Sequence, residues 1–443
     1  QPFDRGLIAT DEGVYVHDAR RYFGESWSHT GARKTVAGVV GQRTVAPWLT
    51  LRASGRYSDA RVQDHHAVDL QGVDDDGRTV RRRITNRVED SNDLNLRLDA
   101  IVDATTGTLD HRLLAGVEYT SAEMAFDSAR ANIGPLDLYA PVYGATPVPA
   151  ARPNASYVYD ADMRSAYLQD QLALSERWKA LVSLRYDAVE TTQHDSLNDT
   201  LLRTDDRELS MRGGLVFQPD ARTSLYASYT ESFQPQQGQT RDGLPLSPER
   251  GQQIEIGAKL ELVPERLALT TAVFQITKQD VATEDPTDPD FSVLTGEQRV
   301  RGFEVDITGE IARHWRLLAN VSLLDPEITR DNLHAIGNRL VGVPRYSGRL
   351  WLHHDFQDLL PGFKLGGGVT VVGARQVDLD NSFDIAGYTT LDATASYAFN
   401  DRLELSLRAS NLTDRFFVEG VQASNNLYPG MPRAYALLLR ARF

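Results

Sequence analysis

The sequence predicts an all-β fold: a transmembrane antiparallel β-barrel with short turns on its periplasmic rim and long extracellular loops. Three observations carry that prediction. Apolar and polar residues alternate with a period of two, short and long connections alternate along the chain, and no apolar run approaches the roughly 18 residues of a membrane helix. The alternation is plainest at the C-terminus. Tyr435, Leu437, Leu439 and Ala441 share one face of the last run, and Ala436, Leu438, Arg440 and Arg442 share the other, before the chain ends on Phe443. The run before it sets Leu403, Leu405, Leu407 and Ala409 against Glu404, Ser406 and Arg408. Membrane barrels finish in this way, with apolar residues toward lipid, polar ones toward the lumen and an aromatic at the interface.

From the N-terminus, residues 1–33 are polar and rich in turn-formers, with Tyr15, Tyr22, Phe23 and Trp27 scattered through them, and read as an extracellular loop. The barrel is placed at 34–443. Its first strand spans Thr35–Arg43, and the second spans Trp48–Ala60, where Leu49, Leu51, Ala53 and Tyr57 alternate with Thr50, Arg52, Ser54 and Arg56. A long connection follows from Arg61 to Thr79. A short turn at Thr105–Thr108 leads into the run Leu109–Phe126, and a Pro- and Ala-rich loop then extends from Asp127 to Ser156. The rhythm continues to the end. Short turns fall at Ser175–Arg177, Pro219–Arg222, Val263–Arg266, Ala312–His314, Phe356–Gly362 and Asn400–Asp401, and long loops at 192–205, 234–249, 280–297, 325–344, 376–386 and 417–431. Trp48, Trp178, Trp315, Tyr397 and Phe399 stand near the short turns, where an interfacial aromatic girdle belongs. Counting the alternating runs gives roughly seventeen strands. An incomplete sheet would leave edge N–H and C=O groups facing hydrocarbon, so strands are missing at the N-terminal side.

Composition narrows the function. The 443 residues carry 41% hydrophobic residues, no cysteine and a net charge of −14. Disulfides and thiolate chemistry are thereby excluded, and the acidic balance argues against a nucleic-acid partner, whose phosphates need excess Lys and Arg. No secretory signal precedes Gln1, so the sequence reads as a mature form or a fragment. No nucleophile elbow, Walker A pattern or HExxH motif is present, and the chain does not read as an enzyme.

The motifs YLQDQLALSERWKALVSLRYD from Tyr167, LYASYTESFQPQ from Leu225, LSPERGQQIEIGAK from Leu246 and RGFEVDITGE from Arg301 are followed by GNRLVGVPRYSGRLW from Gly337, LGGGVTVVGAR from Leu365, ASNLTDRFF from Ala409 and YPGMPR from Tyr428. In order and spacing they resemble the TonB-dependent outer-membrane receptors, specifically the ferric-siderophore group. The resemblance implies a barrel of roughly twenty-two strands around an N-terminal plug. It also implies residence in the outer membrane of a Gram-negative bacterium, and uptake of a ferric siderophore with energy from TonB and its inner-membrane complex. This sequence shows neither the plug nor the TonB box, and it starts after about five of those strands.

The resemblance further implies that the chelate rests among aromatics of the wall and loops. Tyr428, before the last strand, is the leading candidate, followed by Tyr143 and Tyr139 of PLDLYAPVYG and by Tyr15 and Trp27 of the first loop. The alternative for each is packing of loops or a place in the upper girdle. Iron arrives already chelated, as Fe3+-siderophore, so no cofactor and no metal site of the chain's own is expected. Arg81, Arg82, Arg83, Arg440 and Arg442 are candidates to line the lumen and attract an anionic chelate, or else to pair with carboxylates. The acidic runs Asp74–Asp76 and Glu284–Asp290 suit Ca2+, solvent or ion bridges to lipopolysaccharide, which together with outer-membrane lipid is an expected partner. His353 and His354 point to opposite strand faces and cannot chelate together, whereas His65 and His66 lie in an expected loop. Their substitution tests a receptor for haem. A cobalamin receptor, a plugless passive pore and a soluble β-protein are the remaining alternatives.

Overall fold

The computed structural model describes residues 6–442 except 11, 14, 17, 19, 145, 146, 237, 286 and 287. Phe443 therefore lies outside the described residues. The fold is all-β, with no helix among the described residues. The strands are β1 (His29–Ala46), β2 (Leu49–Val73), β3 (Thr79–Thr106), β4 (Leu109–Asp137), β5 (Arg152–Ala173), β6 (Trp178–Asp195), β7 (Thr200–Asp220), β8 (Thr223–Gln234), β9 (Glu249–Val263), β10 (Leu267–Asp285) and β11 (Asp288–Ala312). They continue with β12 (Trp315–Arg330), β13 (Tyr346–Asp355), β14 (Phe363–Val372), β15 (Arg375–Gln376), β16 (Asp384–Ile385), β17 (Tyr388–Asn400), β18 (Leu403–Ser410), β19 (Val418–Ala423), β20 (Asn426–Pro429) and β21 (Ala434–Ala441). Seventeen of them form one antiparallel meander in which each strand pairs with the next, from β1–β2 to β18–β21. β15–β16 and β19–β20 are small hairpins set into two long connections. Among the described residues, β1 pairs only with β2 and β21 only with β18, so the meander has two free edges.

Cross-strand register shows which face each residue takes. Leu51, Tyr57, Leu96, Leu98, Val117 and Leu168 are exposed on the outer face, while Arg52 and Arg97 meet Asp99 on the inner one. The molecule is inside-out relative to a protein that folds in water: Asp99 is 1% exposed and Asp187 2%, whereas Ile256 is 63% and Leu437 70% exposed. Lipid covers such an outer face without cost, and the charges it excludes pair across the inner wall. That pairing is continuous from β2 to β6. Asp99 accepts from Arg52, Arg97 and the Tyr167 hydroxyl, and Arg185 reaches Glu118 (3.0 Å), Asp187 (2.9 Å) and Ser165 (2.7 Å). Arg97 and Arg185 also flank the Tyr167 ring, at 5.1 and 5.5 Å. Trp48, Trp178, Trp315 and Phe399 are exposed beside the short turns, as a girdle requires.

Four expected loops are largely strand. β2 and β3 run through much of Arg61–Thr79, β4 continues to Asp137, β6–β7 occupy most of 192–205, and β10–β11 occupy most of 280–297. β2, β3 and β4 are 25, 28 and 29 residues long, against about 9–11 needed to cross a bilayer. Their outer parts leave the membrane, and there one face packs on the N-terminal segment and the late loops instead of on lipid. The apolar/polar alternation that marks a lipid-facing strand disappears there, although the ladder continues through pairs such as Asp64–Arg87 at 2.9 Å. At the tip, Asp76 Oδ1 accepts from the backbone N–H groups of Arg78 and Thr79 (both 2.8 Å), and Gly77 takes the positive φ (+63°) of the turn.

Candidate functional site at the extracellular mouth

The connected hydrophobic core lies beyond the membrane, at the extracellular mouth. Leu7, Ile8 and Phe23 of the N-terminal segment pack with Val68 and Leu70 of β2, Val80 and Ile84 of β3, Ile133 and Leu136 of β4, and with Val377, Ile385, Val418 and Leu427 from the late loops. Leu7 and Leu427 exchange backbone hydrogen bonds of 2.7 and 2.9 Å, so the segment before β1 is tied to the loop before β21. An extended segment buried in this way must satisfy its backbone, and these bonds do so.

A buried ion pair fixes the middle of the segment. Arg82 Nη2 donates to Glu25 Oε1 at 2.9 Å, and both side chains are 1% exposed. Arg82 also donates to the Phe23 and Gly134 carbonyls, and Glu25 Oε2 accepts from the Gly144 N–H at 2.9 Å. Two elements, the N-terminal segment and the β4–β5 loop, are thereby joined to β3. Of the arginines expected either to line the lumen or to pair with carboxylates, Arg81 pairs with Asp74 (3.1 Å), Arg82 with Glu25 and Arg83 with Asp69 (3.5 Å). All three belong to the protruding hairpin, because β3 begins at Thr79, well above the apolar belt.

The sequence-selected aromatics are distributed around this core. Tyr143 donates its hydroxyl to the Tyr22 carbonyl at 2.7 Å, and the two rings lie 6.5 Å apart. Tyr139 stands under the Arg78 guanidinium at 6.0 Å, and its carbonyl accepts from Arg21. Tyr139 and Tyr143 are exposed and share one loop. Tyr15 is half-buried against Phe416, 6.4 Å away. Burial raises its pKa, opposed by the nearby Arg375. Tyr428 is exposed on the β19–β20 hairpin, with its hydroxyl 3.5 Å from Gln422 Oε1. Trp27 is partly buried against the same core and lies edge-on to His66 at 5.6 Å, where β1 begins.

Sequence reasoning missed Arg375 and Tyr388. Arg375 is buried, donates to the Glu419 and Val418 carbonyls and lies 5.6 Å from the Tyr388 ring, which stacks on Phe417 at 4.2 Å. Burial lowers its pKa. The VGAR motif contained this residue, but nothing in it foretold that the guanidinium would organise a neighbouring loop. Ile8, Gln71, Asp74, Arg81 and Asn425 line a cavity of about 550 Å3 between the N-terminal segment and the β2–β3 tip.

His65 and His66 lie in β2 at a bulge rather than in a loop, since pairing with β3 continues past them. The His65 ring stacks on His29 at 4.7 Å. His353 and His354 face opposite ways, toward Trp351 and Trp315. Among the described residues, no group of three or more His, Cys, Asp or Glu side chains is arranged to hold a metal. The side chains of most of Glu284–Asp290 lie outside the described residues.

The family model "TonB dependent receptor-like, beta-barrel" matches residues 1–412. The chain is 30% identical over 459 aligned residues to the metal-pseudopaline receptor CntO of Pseudomonas aeruginosa strain UCBPP-PA14, covering all of this chain and 64% of that protein. It is 30% identical over 352 residues to the ferrioxamine B receptor of Salmonella typhimurium strain SL1344, covering 77% of this chain and 49% of that protein. The chain thus spans less than two thirds of these relatives. The crystal structure of the siderophore receptor PiuA from Acinetobacter baumannii superposes with a TM-score of 0.89, over 99% of this chain and 70% of that one, at 22% identity. Its likeness shows the fold. The inside-out wall, the alternating rims and the family match agree, and the chain belongs to the TonB-dependent receptor β-barrels of the Gram-negative outer membrane.

Proposed function

We propose that this chain is the larger part of a receptor that captures a ferric siderophore at its extracellular mouth and takes it into the periplasm with energy delivered through TonB. The observation that carries the reading is the mouth itself. Tyr139 and Tyr143 are exposed there beside Arg21 and Arg78, and Tyr428 stands exposed on a neighbouring hairpin. Flat aromatic and guanidinium surfaces suit a large, partly apolar, anionic chelate, with iron held by the chelator and not by the protein. The relatives named for metal-pseudopaline and ferrioxamine B support a metal chelate as the cargo class. The free edges of β1 and β21 have no place in hydrocarbon, and a closed wall needs partners for both. Outer-membrane lipid and lipopolysaccharide surround the belt.

The test is fluorescence quenching by a panel of ferric hydroxamates, catecholates and mixed chelates, using the natural polypeptide purified from outer membranes. One chelate class should bind saturably, and Tyr428→Ala or Tyr143→Ala should weaken it about tenfold, as for a buried aromatic anchor. Haem or cobalamin binding in place of every ferric chelate would overturn the reading.

A further inference from the structure

The β1–β2 hairpin sets two histidines side by side above the apolar belt. On β2 the outward residues run in steps of two from Leu51 and Tyr57 through Asp59, Arg61 and Gln63 to His65, so the belt has given way to polar residues before His65 is reached. Register supplies the second ring. His29, the first residue of β1, lies directly opposite His65, and the two rings stack at 4.7 Å with 23° between their planes. Cross-strand partners on one face have Cβ atoms about 5 Å apart, close enough for two imidazoles to reach one ion. The neighbouring Asp64 faces the inner side, where Thr30 and Arg87 hold it. His66 has a positive φ (+55°) and turns to Trp27, so the histidines adjacent in sequence are not the ones that meet in space.

Hydrogen bonding prepares both rings for a ligand. The Trp27 carbonyl lies 3.2 Å from His29 Nδ1 and can only accept, so Nδ1 carries the proton and the Nε2 lone pair of the neutral ring is left for another partner. Histidines that ligate metals take this form, because a carbonyl on one nitrogen fixes the tautomer and raises the basicity of the other. The His65 ring makes no hydrogen bond among the described residues, so it is free to tilt out of the stack toward a shared ion. We propose that His29 and His65 form a two-histidine site for one divalent transition-metal ion, Cu2+, Ni2+ or Zn2+. Imidazole suits these ions, whereas Mg2+ and Ca2+ take oxygen donors. Two protein ligands leave the other coordination positions to water or to donors of a second molecule. The ion staples the start of β1 to β2 and steadies Trp27 at the end of the N-terminal segment. The site uses none of the candidate tyrosines of the mouth and is independent of the cargo.

The experiment uses the natural polypeptide, purified from outer membranes without a histidine tag and stripped of metal by a chelator. One equivalent of Cu2+ is added and read by electron paramagnetic resonance, and Zn2+, Ni2+ and Mg2+ are titrated by calorimetry. The copper spectrum should show two imidazole nitrogens, Zn2+ and Ni2+ should compete for the site, and Mg2+ should not. His29→Ala and His65→Ala should each weaken Cu2+ binding about tenfold and remove the two-nitrogen pattern, whereas His66→Ala should leave both as in wild type. Folding of each variant is read from heat-modifiable gel migration. Hydrogen exchange of residues 27–31 in wild type should slow when Zn2+ is bound, a readout that needs no variant. An unaltered spectrum in the His29→Ala, His65→Ala double variant, equal loss on His66→Ala, or no slowing of exchange would each overturn the site. Failure of wild type to bind any ferric chelate, with the two-nitrogen spectrum intact, would count against the receptor reading alone.

Discussion

At the scale of the residue, Glu25 and Arg82 hold the mouth together. Removing one partner of a buried, hydrogen-bonded ion pair leaves the other charge uncompensated, at a cost of about 3–5 kcal/mol. Glu25→Gln should therefore release the N-terminal segment from the protruding end of β3, while the membrane-spanning part of the wall, below this pair, stays folded. Limited proteolysis of intact outer membranes checks this: cleavage within residues 6–28 should accelerate at least tenfold in the variant, with the gel migration of the barrel unchanged. Unaltered cleavage would mean that the apolar anchors Leu7, Ile8 and Phe23 suffice. This contact was not legible in the sequence. The two residues are 57 positions apart, and Arg82 sits in a run of three arginines that reads equally well as lumen or as hairpin. The aromatics were legible as a class because their loops are long and exposed, but their individual roles depend on neighbours such as Tyr22 and Arg375 that no local pattern specifies.

At the scale of the element, the protruding β2–β3–β4 sheet stands clear of lipid and relies on polar pairing at its end. Arg78 beside Asp137, together with the backbone N–H groups of Ala140 and Tyr139, holds the Asp137 carboxyl below its ordinary 3.8. Asp76 is likewise lowered, chiefly by the Thr79 hydroxyl and N–H. A carboxylate depressed by folding stabilises the folded state fully above the unfolded value and loses that contribution as pH falls through the folded one. The tip should thus resist protease at every pH above about 5 and loosen as the pH drops below about 4. Hydrogen exchange of residues 74–79 and 137–140 across that range checks it, and Asp137→Asn should show the looser tip already at neutral pH. Strands within the membrane were easy to place from sequence because lipid imposes apolar alternation on one face. These outer extensions were not, since they pack on the mouth's own loops instead of on lipid, and cross-strand partners such as Thr85 and Asp69 help to set the ladder.

At the scale of the whole molecule, one arrangement sets an apolar wall in lipid and a packed mouth above it. Apolar residues such as Leu437 and Ile256 face lipid, the charges of the inner wall are neutralised across strands, and a segment that precedes the first strand packs into the mouth. The strand rhythm was legible because short turns and long loops alternate along the sequence, and the family followed from motifs spread over most of it. The union of the mouth was not, because Leu7 bonding to Leu427 joins opposite ends of the chain. The measurement that tests the central claim most directly is uptake of radioactive iron, presented as the bound ferric siderophore, by cells carrying the natural polypeptide with and without functional TonB. The account predicts saturable accumulation that disappears without TonB. Uptake at equal rates in both strains, accompanied by steady single-channel conductance of the purified protein, would contradict it and identify a passive pore.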